Sequence, residues 1–356
     1  MLKKLFSVFA VLLLLAGCGG KKSENAGVNG QTVLSIYNAG EYIDEELVSA
    51  FEAEYGVRVN YSTFASNEEM YTKLLGGTVY DIIVPSDYMI EKLIEDKLIQ
   101  KIDKSKVTVY DDLYDGLITD YDPGLEYSVP YFWGNVGIVY DETKIDSADV
   151  EAEGWAVLKN PKYKGLIYMY DSERDSFMMA LKALGYSMNT TSEKELEEAY
   201  KWLEEIGDTM DPAYVTDEAI DGLITASDGK YMGMMYSGDA AYILSENENM
   251  RYFAPEEGTN MWTDAMVIHA KSEAVDLAYE FINFILSYDN AYANSSYVGY
   301  ASPVGDVLTD LSTGDGDYAG NEAYLPRTGN PKDEVFHNND DVRKVISEYW
   351  TRVKFK

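Results

Sequence analysis

The sequence predicts an α/β protein of about two domains built on an open sheet. Strand-like and helix-like apolar patterns alternate from residue 32 onward. The 356 residues divide into roughly two units at about 150 each. A 46% hydrophobic content is enough to bury real cores.

Residues 32–37 read as a strand. Ile43, Leu47, Phe51 and Tyr55 then recur at helical spacing until Gly56 stops the helix. Val57, Val59 and Tyr61 alternate as a second strand, and Ser66-Asn67-Glu68-Glu69 has the form of a capping box opening a helix that ends at Gly76-Gly77. Asp81-Ile82-Ile83-Val84-Pro85 suits a buried parallel strand, with Ser86 placed to cap the next helix. In such a βαβαβα array ligands bind beyond the carboxyl ends of the strands. Two such ends, residues 38–42 and 86–88, supply Glu41, Tyr42, Ser86, Asp87 and Tyr88 as candidates.

Residues 128–140, SVPYFWGNVGIVY, form an extended segment containing Gly134 and Gly137 and mark the expected hinge into a second lobe. A strand at 166–170 leads through Asp171-Ser172-Glu173-Arg174-Asp175 into a helix carrying Phe177, Leu181 and Leu184. A charged amphipathic helix at 193–206 and a strand at 231–236 follow. In GTNMWTDAM, residues 258–266, strand alternation would turn Trp262 and Asp264 to one side, a π face beside an anion. Taken alone, such a pair is more often a core tryptophan beside an exposed aspartate. A helix at 273–286, a loop-rich stretch at 289–334 and a closing helix at 341–353 complete the chain, and no internal repeat points to a solenoid or propeller.

Composition narrows the function classes. Lys3 and Lys4, an apolar run at 5–15 and Leu15-Ala16-Gly17-Cys18 form a targeting segment too short to span a bilayer well. The last four residues resemble a bacterial lipobox, which would make Cys18 the lipid-modified first mature residue; a plain secretory signal or a membrane anchor is the alternative. Residues 19–30, GGKKSENAGVNG, read as a flexible tether. Cys18 is the only cysteine, so the chain has no disulfide, no cysteine metal site and no thiol nucleophile once it is modified. Removing residues 1–17 takes away two lysines and no acid, so the net charge of −33 becomes −35. That charge argues against nucleic-acid binding; it serves either solubility or the attraction of a cationic solute.

His269 and His337 fall in no metal-binding spacing, and no nucleophile elbow, Walker loop or dinucleotide fingerprint appears, so no metal or cofactor is expected. With 62 acids some carboxylate pair always exists, which leaves a secreted glycoside hydrolase as a weak alternative. The 31 tyrosines are compatible with sugar or amine binding.

The blocks YNAGEYIDEE, STFASNEEMYTKL, YDIIVPSDYMIEKL, IQKIDKSKV, YSVPYFWGNVGIVY, PKYKGLIYMYDSERDSF, ALGYSMNTT and MGMMYSGDAAYIL, in this order, resemble the spermidine/putrescine-binding proteins of ATP-driven importers. The resemblance runs from about residue 33 to the final helix. It implies a two-lobed, periplasmic-binding-protein-like fold of the class II type, with mixed sheets flanked by helices and a ligand cleft between the lobes. It implies a monomeric binding protein, not an enzyme, that hands a polyamine to a permease. Such a protein would sit in the periplasm or on the outer face of the cell membrane through a lipid anchor. Another small cation or a sugar is the alternative ligand.

Residue by residue, the family's pocket positions fall on Tyr42, Ser86, Tyr88, Asp175, Tyr236, Trp262 and Asp264. Asp171 would be a second acid, with Ser172 where many members have aspartate, and a late polar contact falls near His337. Ala39 stands where members usually have an aromatic, which leaves the exact amine open. The implied division is a signal peptide at 1–17, a tether at 18–30, a first lobe of 31–136 plus about 268–330, a second lobe of 137–267, and a C-terminal helix at 331–356 packing across both.

Overall fold

The computed structural model describes residues 32–215 and 218–355. The expected signal peptide, the lipidated Cys18 and the tether lie outside the described residues. Among the described residues nine strands are formed: β1 (Val33–Ala39), β2 (Arg58–Phe64), β3 (Ile82–Ile83), β4 (Ser128–Asp141), β5 (Ile167–Tyr170), β6 (Ala213–Val215), β7 (Met232–Tyr236), β8 (Met250–Phe253) and β9 (Met261–Ile268). Their order is β2-β1-β3-β9-β4-β7-β5-β6, with β8 also on β4.

The molecule is organised by β4. All fourteen of its residues are buried, as expected of a strand covered on both faces. Residues 128–135 pair antiparallel with β9, and residues 136–141 pair antiparallel with β7 and β8. One strand therefore belongs to both halves of the sheet. The ladder shifts register between Pro130 and Phe132, where proline has no N–H to donate. On one side β1 pairs in parallel with β2 and β3, and on the other β5 pairs in parallel with β6 and β7. β9 joins the halves, pairing antiparallel with β3 and with the first part of β4.

The expected second lobe includes residues 261–267, and these residues, in β9, hydrogen-bond into the sheet of β1 and β3. The reason is backbone satisfaction: the buried first half of β4 needs a long partner, and β9 supplies it. The stretch at 289–334 is also more regular than its composition suggests, holding helices Tyr288–Val298 and Gly305–Ser312.

Local chemistry sets the helix ends near the cleft. The side chains of Asp44, Ser66 and Ser172 accept from the first turns of helices Glu45–Tyr55, Asn67–Leu75 and Glu173–Ala183, and Gly56 (φ 65) ends the first of these in the left-handed region. Ser86 precedes helix Asp87–Glu95 without a side-chain cap bond; its hydroxyl accepts from Asn67 Nδ2 at 3.0 Å instead.

The body of C-terminal helix Asp340–Lys354 packs on the second half. Tyr349 stacks on Tyr200 at 4.8 Å, and Trp350 meets Tyr214 edge-on at 5.8 Å. Only the start of this helix reaches the first half, through Asp340 to Lys92 (3.8 Å) and Arg343 to Glu68 (3.8 Å). Among the described residues no helix is long and apolar enough to cross a membrane.

Candidate functional site

Side chains from both halves converge where β4 changes partners. Asp264 lies on β9 opposite Phe132 of β4 and forms an isolated strand bridge with Ser86. It is half-buried. Tyr42, just past the end of β1, donates its hydroxyl to Asp264 Oδ2 at 2.7 Å. Loss of water raises the Asp264 carboxyl above the usual carboxylate range, while the Ser86 and Tyr42 hydroxyls pull it back.

Asp175 comes from the other half, in the first turn of helix Glu173–Ala183. Its Oδ2 accepts from Tyr236 Oη at 2.6 Å and from Ser172 Oγ at 2.7 Å. Burial raises its carboxyl too, offset by Tyr236, Ser172, the Arg174 charge and the Asn260 side chain.

Rings lie between the two acids. Trp262 is 8% exposed and meets Tyr236 edge-on at 6.1 Å and Tyr300 edge-on at 5.2 Å. Tyr300 in turn meets Tyr42 edge-on at 5.5 Å. The phenols of Tyr42, Tyr236 and Tyr300 are pushed well up by burial and by nearby carboxylates, so they remain neutral donors. Two glycines make room for these rings. A Cβ on Gly134 would lie 2.5 Å from the Trp262 ring, and one on Gly238 would lie 2.3 Å from the Tyr300 ring.

Separated carboxylates joined by a run of aromatic faces have the chemistry of a site for an extended organic cation. The acids meet ammonium groups, and the rings cover methylenes and attract charge through their faces.

Residues 46–320 match the family described as bacterial extracellular solute-binding protein. A spermidine/putrescine-binding periplasmic protein of Escherichia coli strain K12 is 35% identical over 346 residues, covering 96% of this chain and 97% of that protein. A putrescine-binding periplasmic protein of Pseudomonas aeruginosa is 30% identical, covering 78% of this chain and 80% of that protein. Among solved structures, the spermidine/putrescine ABC transporter substrate-binding protein of Streptococcus pneumoniae superposes with a TM-score of 0.79 at 37% identity, covering 90% of this chain and 98% of that one. The chain belongs to the bacterial extracellular solute-binding proteins.

Within this solute-binding protein the remaining candidates differ in their surroundings. Ser86 lies beside Asp264, and Tyr88 is partly buried with its hydroxyl 3.4 Å from Glu68 Oε1. The Arg174 guanidinium covers the Tyr88 ring, 3.6 Å from its centre.

Asp87 sits behind the site instead of lining it. It is 1% exposed, and its oxygens accept from the backbone N–H groups of Tyr88 (2.6 Å) and Thr263 (3.3 Å). Burial pushes its carboxyl up to about 8, against the pull of these two N–H groups, and the Asp264 charge adds to the rise.

Asp171 is a structural anchor, accepting from Trp350 Nε1 at 3.2 Å and paired with Lys354. The C-terminal helix takes both of its oxygens at the position where the resemblance implies a second pocket acid. Glu41 is exposed, in a turn at φ 52. The turn that brings Tyr42 inward leaves Glu41 facing out. His337 bridges the halves, with Nδ1 2.6 Å from Glu91 Oε1 and its N–H donated to Asn189 Oδ1 at 3.0 Å.

Sequence reading missed Tyr300, Asn260 and Asn135. Gly299 (φ 88) ends helix Tyr288–Val298 and turns Tyr300 back toward β4, so a glycine stop directly before a tyrosine was the available signal. Asn260 Oδ1 and Asn135 Nδ2 are buried without partners among the described residues, and such atoms can meet a polar ligand group.

Proposed function

We propose that this solute-binding protein captures a polyamine, putrescine or spermidine, outside the cytoplasm and delivers it to an ABC importer. The observation that carries the reading is the pair of carboxylates, Asp264 and Asp175. They come from the two halves of the sheet, each held by a tyrosine hydroxyl, with Tyr42, Tyr300, Trp262 and Tyr236 forming a run of rings between them. The relatives' names support the same ligand class.

In this reading Tyr42, Ser86, Tyr88, Tyr236 and Trp262 contact the ligand with the two aspartates, and the lobes close about β4 near residues 135–136. The protein works as a monomer that binds and releases without chemical change. Cys18 carries a lipid that holds it at the membrane surface, next to the permease.

The test is titration calorimetry of the chain from residue 19 with putrescine, spermidine, glucose and maltose. Heat from the amines alone supports the proposal, and heat from the sugars alone refutes it. In a parallel thermal melt, an amine at about 100 times its dissociation constant should stabilise the protein by about 2.7 kcal/mol.

A further inference from the structure

Asp87 is a buried acid that makes no contact in the proposed binding reaction. It opens helix Asp87–Glu95, between Ser86 and Tyr88 in the chain. Strand register explains its place. β9 runs antiparallel to β3, with Ile268 opposite Ile82 and Val267 opposite Ile83. Along this edge the His269 N–H donates to Asp81 O at 3.2 Å and the Ala265 N–H to Pro85 O at 3.1 Å. The next rung would pair the Thr263 N–H with the carbonyl of residue 87. There the chain has already turned into a helix, whose carbonyls point along its own axis. The side chain takes over the rung: the Thr263 N–H donates to Asp87 Oδ2 at 3.3 Å.

The other oxygen, Oδ1, accepts from the Tyr88 N–H at 2.6 Å. That group is one of the free donors of a helix start that the Ser86 side chain does not cap. One carboxyl thus ties the Ser86–Tyr88 loop to the backbone between Trp262 and Asp264. The residues flanking the tie are the ones proposed to touch the amine.

Opposing influences act on this carboxyl. Burial pushes it up to about 8 and the Asp264 charge adds to the rise, while the two N–H groups and the Arg174 charge pull it down. The nearby Tyr88 and Tyr121 phenols are themselves raised by burial and stay neutral. An ammonium bound at Asp264 cancels the charge that opposes ionisation. Once ionised, Asp87 makes charge-assisted bonds to both N–H groups, and such bonds are shorter and stronger than neutral ones.

We propose that Asp87 is a positioning residue that couples amine capture to the release of a proton: it gives its proton to solvent as the ligand's ammonium reaches Asp264, and the carboxylate left behind locks the Tyr88 loop to the strand carrying Trp262 and Asp264. The inference rests on the polyamine reading and adds to it a proton-linked step that ligand contacts alone do not require.

The test is calorimetry of putrescine binding to wild type, Asp87→Asn and Asp87→Ser, with thermal melts to confirm folding. Putrescine suits it because its primary amines, like the lysine ammonium at about 10.4, stay charged through neutral pH. At neutral pH the wild-type binding heat should differ between phosphate and Tris, because the two buffers take up a released proton with different enthalpies. Wild-type affinity should rise about ten-fold from about pH 6 to about pH 8, since one released proton gives at most about ten-fold per pH unit. Neither variant can ionise at this position, so both should release fewer protons, show affinity that is flat with pH and bind about ten-fold more weakly than wild type at about pH 8.

Equal proton release from wild type and Asp87→Asn assigns the proton to another acid and overturns the inference, as does a wild-type affinity that is flat with pH. Wild type that binds no putrescine at any pH removes the polyamine reading, and the inference with it.

Discussion

The Asp264 and Asp175 ends of the cleft hold the same carboxylate in unlike surroundings. Asp175 occupies the third position of an eleven-residue helix, where the free backbone N–H groups and the macrodipole favour an anion. Ser172, Tyr236, Asn260 and the Arg174 charge all lower its carboxyl against the effect of burial. Asp264 stands on a strand, which has no comparable dipole, and the groups that lower it are the hydroxyls of Ser86 and Tyr42. One end is an anion prepared by the protein; the other depends more on what enters the cleft. An incoming ammonium also meets Arg174 beside Asp175 and only neutral donors beside Asp264.

The largest expected effect follows from that inequality. Asp264→Asn should weaken polyamine binding by about 2–5 kcal/mol. Asp175→Asn should cost less, because the neighbouring guanidinium already offsets part of the attraction to ligand. Calorimetry on both variants measures the gap, and equal losses would break the comparison.

Next in size are the tyrosines. A hydrogen bond to a charged group is worth about 1.5–3 kcal/mol, and Tyr42→Phe should lose a larger share of that than Tyr236→Phe. Asp264 would keep only Ser86, whereas Asp175 would keep Ser172 and Asn260. The same titrations rank them, and the opposite order would count against the view that Asp264 is the less supported acid.

A different kind of effect, on stability and not on affinity, concerns Asp87. Its folded carboxyl is held up at about 8 against an ordinary 3.8, so the folded state keeps a proton that the unfolded state gives up first. The stability this proton confers is full below about pH 4 and is lost as pH rises to about 8. The stability of wild type relative to Asp87→Asn should fall across that window and level off above it, as thermal melts at stepped pH would show. A flat difference would mean that Asp87 is ionised in the folded protein.

Much of the fold is legible in the residues because it is local. Gly56 after a helical stripe, the Ser66 cap and the apolar run at 82–83 each act over a few residues, and the helices and strands at those places follow. Tyr42, Ser86, Tyr88, Asp175 and Tyr236 are equally legible as residues at strand ends or first helical turns, the positions an α/β sheet exposes. Trp262 and Asp264 could not be separated from a core tryptophan beside a surface acid by W-x-D alone, which carries no information about what faces it; only the resemblance of the surrounding blocks assigned them to the pocket.

Some placements depend on partners far away in the chain. Asp171, a pocket acid by resemblance, is held by Trp350 and Lys354, about 180 residues on. His337, a late polar contact by resemblance, has its ring on Glu91. Tyr300 was missed because its place depends on Gly299 turning the chain back and on Gly238 leaving room for its ring.

By itself the sequence determined the element pattern, the excess of negative charge and the residue types a cation needs. The tertiary structure alone decided which side of the crossing β9 joins and which acids share the cleft. Strand pairing, burial and the choice of a carboxylate's partner are satisfied across hundreds of residues, and no local pattern records them.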